Sequence, residues 1–155
     1  MVIQIDSREK AFAIRKIKKE FERQGIQYFV SKVPCGDYIE ISDGTFAIDR
    51  KQDLLELCQN VCQQNKRFID ELERAKKYGI RLVFLVEHGD DIKCLEDVKA
   101  WQNPRLGESP LAVSGIRLYR ILSRLEKQYG TKFYFCNKNQ TGRGIIKLLR
   151  MNKGE

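Results

Sequence analysis

The sequence predicts an α/β fold, with helices around a central mixed sheet, in a single domain that spans residues 1–155. Strand-like and helix-like patterns alternate along the chain, an arrangement typical of layered α/β proteins. The 155 residues suffice for one domain with a sizeable core and are too few for two ordinary domains. Hydrophobic residues make up 42% and charged residues 32%, which is typical of a soluble globular protein.

The first third of the chain alternates strands with one helix. The predicted elements are strand 2–6, helix 10–24, strand 28–33 and the hairpin strands 38–42 and 45–51. Ile14, Ile17 and Phe21 recur at helical spacing, which makes the helix amphipathic. Asp43-Gly44 is a turn signal between two alternating segments, and it predicts the hairpin.

The remaining elements are two helical segments within 53–78, strand 81–87, a short helix 92–101, helix 115–129, strand 132–136 and helix 141–151. The helical pattern of 53–78 is interrupted near 63–65 and ends at Gly79. RLVFLVE is a continuous apolar run, which is typical of a strand buried on both faces. Thr141 is expected to cap the last helix.

The sequence predicts neither a membrane protein nor a secreted one. No apolar run approaches the roughly 20 residues that cross a bilayer, and the N-terminal segment lacks the apolar region of a signal peptide. Five cysteines, an odd number without a disulfide framework, fit a reducing compartment, so we expect a cytoplasmic protein. Cys58 and Cys62 share a helical face and could bind zinc, but the chain has only one histidine, and free thiols are preferred.

The positive charge is concentrated at the C-terminal end. Residues 1–114 hold 19 basic and 19 acidic residues, whereas residues 115–155 hold 10 and 2, so the whole net charge of +8 arises there. Such a region attracts nucleic acid, although a solvated basic surface is the alternative. One basic stripe runs along helix 115–129. The candidate DNA contacts are Arg117, Arg120, Arg124 and Lys127 of this stripe, together with Arg67 and Arg143.

Charged residues at both ends of the predicted hairpin point to hydrolysis of phosphodiester bonds. Asp49 and Lys51 are two residues apart on a strand, so both side chains face the same side. Asp37 lies across the hairpin and supplies a second carboxylate. Carboxylates are ligands that Mg²⁺ or Mn²⁺ prefers, and a lysine beside them can stabilise the charge that develops on phosphate.

Two other segments place charged residues near the same site. The segment IDSRE puts Asp6, Arg8 and Glu9 at the end of the first predicted strand. The segment NKRFIDELERAK puts Arg67 and Glu71 at positions i and i+4 of one helix face.

Together these segments resemble the nuclease domain of the XPF/MUS family of structure-specific endonucleases, over nearly the whole chain. IDSRE resembles the family motif V-D-x-R-E, GDYIE resembles G-D-Y, AIDRK resembles V-E-R-K, and KRFIDELERA resembles R-F-x-x-E-L. LVFLVE is similar to the central strand of the family, which ends in an acid, here Glu87.

The resemblance implies a restriction-endonuclease-like, PD-(D/E)XK fold with a three-layer core, in a stand-alone bacterial or phage form. It implies magnesium-dependent or manganese-dependent cleavage of branched, flapped or forked DNA, with Asp37 and Asp49 as metal ligands. Lys51 would orient the attacking water, and Arg50 would brace the site. The implied catalytic residues are Asp37, Asp49, Lys51, Arg50, Asp6, Glu9 and Arg8. The family also pairs through its C-terminal helices, which implies a homodimer.

The sequence departs from the family pattern in three places. Asp49 replaces the glutamate of the signature, which shortens the side chain by one methylene and keeps its charge. The acid expected four residues after Lys51 is Leu55 here, and Asp53 is expected to cap the following helix instead. The chain has no room for helix-hairpin-helix modules, so the basic C-terminal region is expected to bind more of the DNA.

The hairpin register decides whether Asp37 and Asp49 share a site. A two-residue Asp43-Gly44 turn pairs Ile39 with Ile48 and sends Asp37 away from Asp49. A three-residue loop with a bulge at Gly44, or a twist at Gly36, brings the two carboxylates to one side.

Two alternative functions are compatible with the same residues. One is a catalytically silent DNA-binding or scaffolding subunit with a nuclease fold. The other is a structural network of ion pairs, which accounts for Arg50 well and for clustered carboxylates poorly, because like charges repel without a cation.

Overall fold

The computed structural model describes all 155 residues and contains six strands and five α-helices. The elements are β1 (Val2–Ile5), α1 (Arg15–Arg23), β2 (Gln27–Val30), β3 (Tyr38–Glu40), β4 (Asp43–Lys51), α2 (Leu54–Cys62), α3 (Asn65–Lys77), β5 (Arg81–Glu87), α4 (Gly115–Tyr129), β6 (Phe133–Cys136) and α5 (Thr141–Asn152). Two short 3₁₀ helices, Leu95–Ala100 and Pro104–Gly107, connect β5 to α4. None of the helices is both long enough and apolar enough to cross a bilayer.

The strands form one mixed sheet in the order β2-β1-β3-β4-β5-β6. β3 is antiparallel to both of its neighbours, and every other neighbouring pair is parallel. The carboxyl ends of β1, β4 and β5 therefore meet at one edge of the sheet, beside the start of β3.

Helices cover both faces of the sheet, and each face has its own apolar core. Leu57, Phe68 and Leu122 represent the core under α2, α3 and α4. Phe21 and Ile145 represent the core under α1 and α5 on the other face. This three-layer arrangement confirms the predicted restriction-endonuclease-like α/β class.

Most predicted elements are present, and the differences lie at their ends. α1 begins at Arg15 rather than at residue 10, because the preceding residues form turns in which Ala13 N donates to Lys10 O. β2 ends at Val30, since the chain then bends so that Val33 N donates to Asp6 Oδ1. The helix predicted at 92–101 is a 3₁₀ helix.

The helix caps are partly as predicted. Asp53 caps α2, with its carboxylate accepting from Glu56 N at 2.8 Å. α2 and α3 are separate helices that meet near residues 63–64, which confirms the predicted interruption. Thr141 is not a cap, because it is already the first residue of α5 and its hydroxyl donates to Lys138 O.

The hairpin register differs from both predicted registers. Tyr38 pairs with Ile48, and a bulge then brings Glu40 opposite Asp43, so Asp43-Gly44 belongs to β4 and is not the turn. The C-terminal segment contacts both strands of the hairpin in this register. Asn152 Nδ2 donates to Asp43 Oδ2, and Lys153 Nζ lies 2.7 Å from Glu40 Oε2, so α5 holds both strands of the hairpin.

Candidate active site

A polar pocket of about 250 Å³ opens at the edge where the carboxyl ends of β1 and β4 meet. Six of the seven predicted catalytic residues line it: Arg8, Glu9, Asp37, Asp49, Arg50 and Lys51. The seventh, Asp6, is fully buried beneath it. The structure therefore brings together residues from three separate segments of the chain.

Asp37 reaches this pocket through a local distortion of the hairpin. Gly36 has φ +71°, a left-handed conformation that favours glycine, and its N–H donates to Glu71 Oε1 at 3.1 Å. Asp37 then donates its own N–H to Ile48 O, and its Oδ2 accepts from Arg50 N at 2.8 Å. These bonds hold the Asp37 carboxylate against β4, on the side of Asp49.

Asp49 and Lys51 lie on the same side of β4, facing α3. Asp49 is only 6% exposed, and Lys51 Nζ lies 3.1 Å from its Oδ1. The rings of Phe68 and Phe84 hold the lysine, with their centroids about 6 Å from Nζ. The Asp49 Oδ1 atom is nevertheless buried without a hydrogen-bond donor in suitable geometry. It is thus an acceptor without a full partner in this site.

Both aspartates hold their protons more tightly than usual. Burial raises the pKa of Asp37, and the neighbouring Asp49 and Glu9 carboxylates raise it further. Burial also raises the pKa of Asp49 to about 6, against the opposing effect of Lys51. Two buried carboxylates close together disfavour ionisation unless a cation lies beside them.

Arg50 points to the opposite face of β4, toward α1, and forms a buried ion-pair network. Its Nε and Nη2 donate to the two oxygens of Glu9, both at 2.8 Å. Its Nη1 donates to Glu87 at 2.9 Å, and Tyr38 OH donates to Glu9 at 3.1 Å. Alternation along β4 therefore separates a fully paired set of charges around Arg50 from the incompletely paired carboxylates around Asp49.

Asp6 and Arg8 form a second paired set. The buried Asp6 carboxylate accepts from Val33 N at 3.0 Å and from Arg8 Nε at 2.6 Å. The Arg8 side chain is 65% exposed and lies over the pocket. Asp6 thus orients Arg8 and anchors the loop that leads to Asp37.

The donor set fits a hard divalent cation. Asp37 and Asp49 offer carboxylate oxygens within one pocket, and such oxygens are the ligands that Mg²⁺ or Mn²⁺ prefers. No group of three or more histidine, cysteine or carboxylate side chains is arranged to hold a metal. Two protein carboxylates still suit magnesium, which usually keeps several waters and takes further ligands from its substrate.

Three acids in or next to the pocket were absent from the predicted catalytic set. Glu71 accepts from Gly36 and lies beside Lys51, and its position four residues after Arg67 was the available signal. Glu87 binds Arg50, and the signal for it was an acid at the end of a buried strand. Glu56 lines the pocket from α2, where nothing in the local sequence indicates such a role.

The candidate DNA contacts lie at different distances from this pocket. Arg67 lines an adjoining cleft of about 510 Å³ that also contains Arg8, Lys51 and Arg74. Arg143 lies outside both and pairs with Glu20 at 3.1 Å. The basic residues of α4 are exposed and line neither: Arg117, Arg120, Arg124 and Lys127.

Comparison with known proteins places this geometry in context. The family model described as ERCC4 domain matches residues 5–148. The structure is similar to XPF from Aeropyrum pernix, solved alone and in complex with DNA, with a TM-score of 0.67 and 17% identity in each case. The similarity covers 99% of this chain and 65% of the XPF chains, so the chain corresponds to about two thirds of their length. No curated protein matches the sequence.

Proposed function

The chain belongs to the ERCC4 domain family, and on this premise we propose that it is a metal-dependent DNA endonuclease. It hydrolyses phosphodiester bonds in branched, flapped or forked DNA. The observation that carries the proposal is a pair of neighbouring carboxylates, Asp37 and the buried Asp49, which share one polar pocket with Lys51. A purely structural ion-pair network does not require two carboxylates that repel each other around one lysine.

Asp37 and Asp49 would hold Mg²⁺ or Mn²⁺, together with the backbone carbonyl of Arg50. The cation would supply Lewis-acid polarisation of the scissile phosphate and a lowered pKa for a bound water.

Lys51 acts on the reacting phosphate and water. Its Nζ lies beside Asp49 at the pocket, where it can donate to a phosphate oxygen and orient the attacking water. Burial lowers the pKa of Lys51, but the carboxylates of Asp49, Glu56 and Glu71 together outweigh this effect, so the pKa of Lys51 is raised. The lysine therefore stays charged at neutral pH and stabilises negative charge in the transition state.

Arg50, Glu9 and Asp6 position the catalytic groups. The Arg50 guanidinium joins β4 to the segment after β1 and to the end of β5 through Glu9 and Glu87. Asp6 holds Arg8 over the pocket. Arg8 is exposed enough to contact a phosphate next to the scissile bond.

DNA would cross the pocket along the cleft that contains Arg67 and Arg74. Support comes from the structurally similar XPF of Aeropyrum pernix, which has been solved in complex with DNA. The basic stripe of α4 would bind a more distant arm of the substrate, and Arg143 would do so from α5.

A homodimer through the C-terminal helices and a cytoplasmic location complete the proposal. α4 and α5 each expose one large apolar side chain, Ile116 and Met151, about half exposed. All five cysteines are free, which suits a reducing compartment. Sedimentation of the wild-type protein, with and without DNA, measures the oligomeric state.

The test is cleavage of forked, flapped and fully paired DNA with and without Mg²⁺ or Mn²⁺. We expect cleavage that needs the metal and is lost in Asp49→Ala, while DNA binding persists. Asp91→Ala is the matched control, because this aspartate is exposed and forms no salt bridge. Binding without cleavage in any metal would instead favour a silent DNA-binding subunit, and neither binding nor cleavage would favour a structural ion-pair network.

A further inference from the structure

Besides the cleft that contains Arg67, a second cleft, of about 490 Å³, adjoins the active-site pocket on the side of α1. The two share Ala13, Arg50 and Gln52 as lining residues, so they are continuous. One wall of the second cleft is the start of α1, and Lys138, which follows β6, lies on the other side. None of the predicted DNA contacts lines this cleft.

The second cleft is strongly basic. Four exposed cations line it, and none of them forms a salt bridge: Arg15, Lys16, Lys19 and Lys138. The single acid in its lining, Glu87, is already bonded to Arg50. Residues 10–19 contain five cations and no acid, and acids elsewhere in residues 1–114 balance this local excess. A groove of unpaired cations beside a phosphodiesterase site suits a polyanion.

Phe12 adds an aromatic ring at the rim of the cleft. Its side chain is 83% exposed, whereas the nearby Ile14 and Ile17 are almost completely buried. The Arg15 guanidinium lies 5.9 Å from the ring centroid. Packing within the chain therefore does not account for a phenylalanine here. An exposed ring among unpaired cations is the combination with which proteins bind single strands, because bases stack on the ring while cations follow the phosphates.

We propose that this cleft binds an unpaired arm of the DNA substrate, with Phe12 stacking on a base and Lys16, Lys19 and Lys138 contacting phosphates. The proposal rests on the DNA endonuclease function above and adds a basis for its choice of substrate. In a continuous duplex the bases stack on each other, so the ring has no free base face to contact. A branch with an unpaired arm provides one a short distance from Asp49.

The first test compares binding of flapped DNA, single-stranded DNA and duplex of equal length, measured by fluorescence anisotropy in EDTA. Phe12→Ala should weaken binding of flapped and single-stranded DNA by about 5-fold to 100-fold, from the range for one stacked base. Binding of the duplex should change by less than about twofold. Tyr78→Ala is the matched control, because Tyr78 is 60% exposed and lies at the opposite end of the sheet.

The second test uses Phe12→Trp, which restores a stacking ring. Its fluorescence should be quenched by single-stranded DNA and not by duplex, with the wild-type Trp101 signal as background. The charge of the cleft is tested by Lys19→Ala with Lys138→Ala, against Lys76→Ala with Lys77→Ala as a control pair of exposed lysines.

Equal effects of Phe12→Ala on flapped and duplex DNA would overturn the proposal, as would no effect beyond that of Tyr78→Ala. Failure here is distinguishable from failure of the endonuclease function, because binding is measured without metal. Persistent metal-dependent cleavage of flapped DNA by Phe12→Ala, with unchanged affinity, would leave the nuclease intact and exclude the cleft as a strand-binding site.

Discussion

Arg50 and Glu9 are joined by two parallel hydrogen bonds of 2.8 Å, which tie β4 to the segment after β1. Both side chains are less than 10% exposed, and the same guanidinium also binds Glu87 at 2.9 Å. One buried cation thus compensates two carboxylates, one from the segment after β1 and one from the end of β5. The neighbouring Asp37 and Asp49 lie outside this network, and the contrast between the two sets of charges motivates the first two predictions.

Arg50→Ala should lower the free energy of unfolding by about 3–5 kcal/mol, because it leaves Glu9 and Glu87 as buried charges without a partner. Urea denaturation at pH 7.5 measures the change. Arg50→Lys keeps the charge and loses the paired hydrogen bonds. Its free energy of unfolding should therefore lie between those of the wild type and Arg50→Ala. Arg23→Ala breaks a surface pair with Glu20 and should lower the free energy of unfolding far less. A similar loss in Arg23→Ala and Arg50→Ala would contradict the proposed positioning role.

Asp49→Asn should stabilise the metal-free protein at pH 7.5. Burial raises the pKa of Asp49 to about 6, above that of an unfolded aspartate, so the folded state binds this proton more tightly. The free energy of unfolding therefore falls as pH rises from about 4 to 6, and the loss persists above pH 6. Removal of the charge should recover about 1–3 kcal/mol at pH 7.5 and almost nothing at pH 4. Denaturant unfolding at both pH values measures this difference.

A divalent cation should make the wild-type protein more stable than Asp49→Asn. Millimolar Mn²⁺ should raise the melting temperature of the wild-type protein and leave that of Asp49→Asn nearly unchanged, because only the wild type has two carboxylates to bind it. An equal shift in both proteins, or none in the wild type, would mean that Asp37 and Asp49 do not hold a metal.

Local sequence patterns predicted the elements and the active-site edge because those features depend on spacing within one segment. RLVFLVE is an interior strand since residues 82–86 are all apolar, and Asp49 and Lys51 share a side since strands alternate. The hairpin register was wrong because a bulge moves the turn to residues 41–42, and the contacts that Asn152 and Lys153 make with this hairpin come from more than 100 residues away. The roles of Glu56 and Phe12 likewise depend on clefts that form only when distant segments pack together.

Gly36→Ala should slow cleavage by more than its loss of stability accounts for. A Cβ at Gly36 would lie 3.1 Å from Ile48 O and from Leu82 Cδ1, and φ +71° is unfavourable for alanine. The strain, about 1–2 kcal/mol, falls on the residue that orients Asp37. Gly25→Ala is the control, since Gly25 has φ +68° with nothing within 4 Å of its Cβ. The cleavage rates of Gly36→Ala and Gly25→Ala are compared under conditions in which both proteins are fully folded. Equal rates would mean that Asp37 is not placed by this turn.

Lys51→Ala should lower the single-turnover cleavage rate by about 100-fold to 1000-fold with little change in DNA affinity, as expected for a group that acts on transition-state charge. Because the neighbouring carboxylates outweigh burial and raise the pKa of Lys51, the lysine should remain charged throughout the working pH range. The wild-type rate should therefore show no decline up to about pH 10, the usual value for lysine. A decline between pH 7 and 9 would point to another titrating group.

The basic stripe of α4 should matter more for substrates with long arms than for those with short ones. α4 runs from near the end of β5 toward the start of β6, so its 15 residues extend over about 22 Å away from the active-site edge. Arg120→Ala with Arg124→Ala should weaken binding to forks with arms of about 20 base pairs. It should have a smaller effect on arms of about five base pairs, which reach only about 17 Å. Arg67→Ala, beside the pocket, should weaken both and reduce the salt dependence by about one phosphate contact. If the α4 variant binds long and short arms as the wild type does, the stripe is a solvated surface and DNA leaves the site along another path.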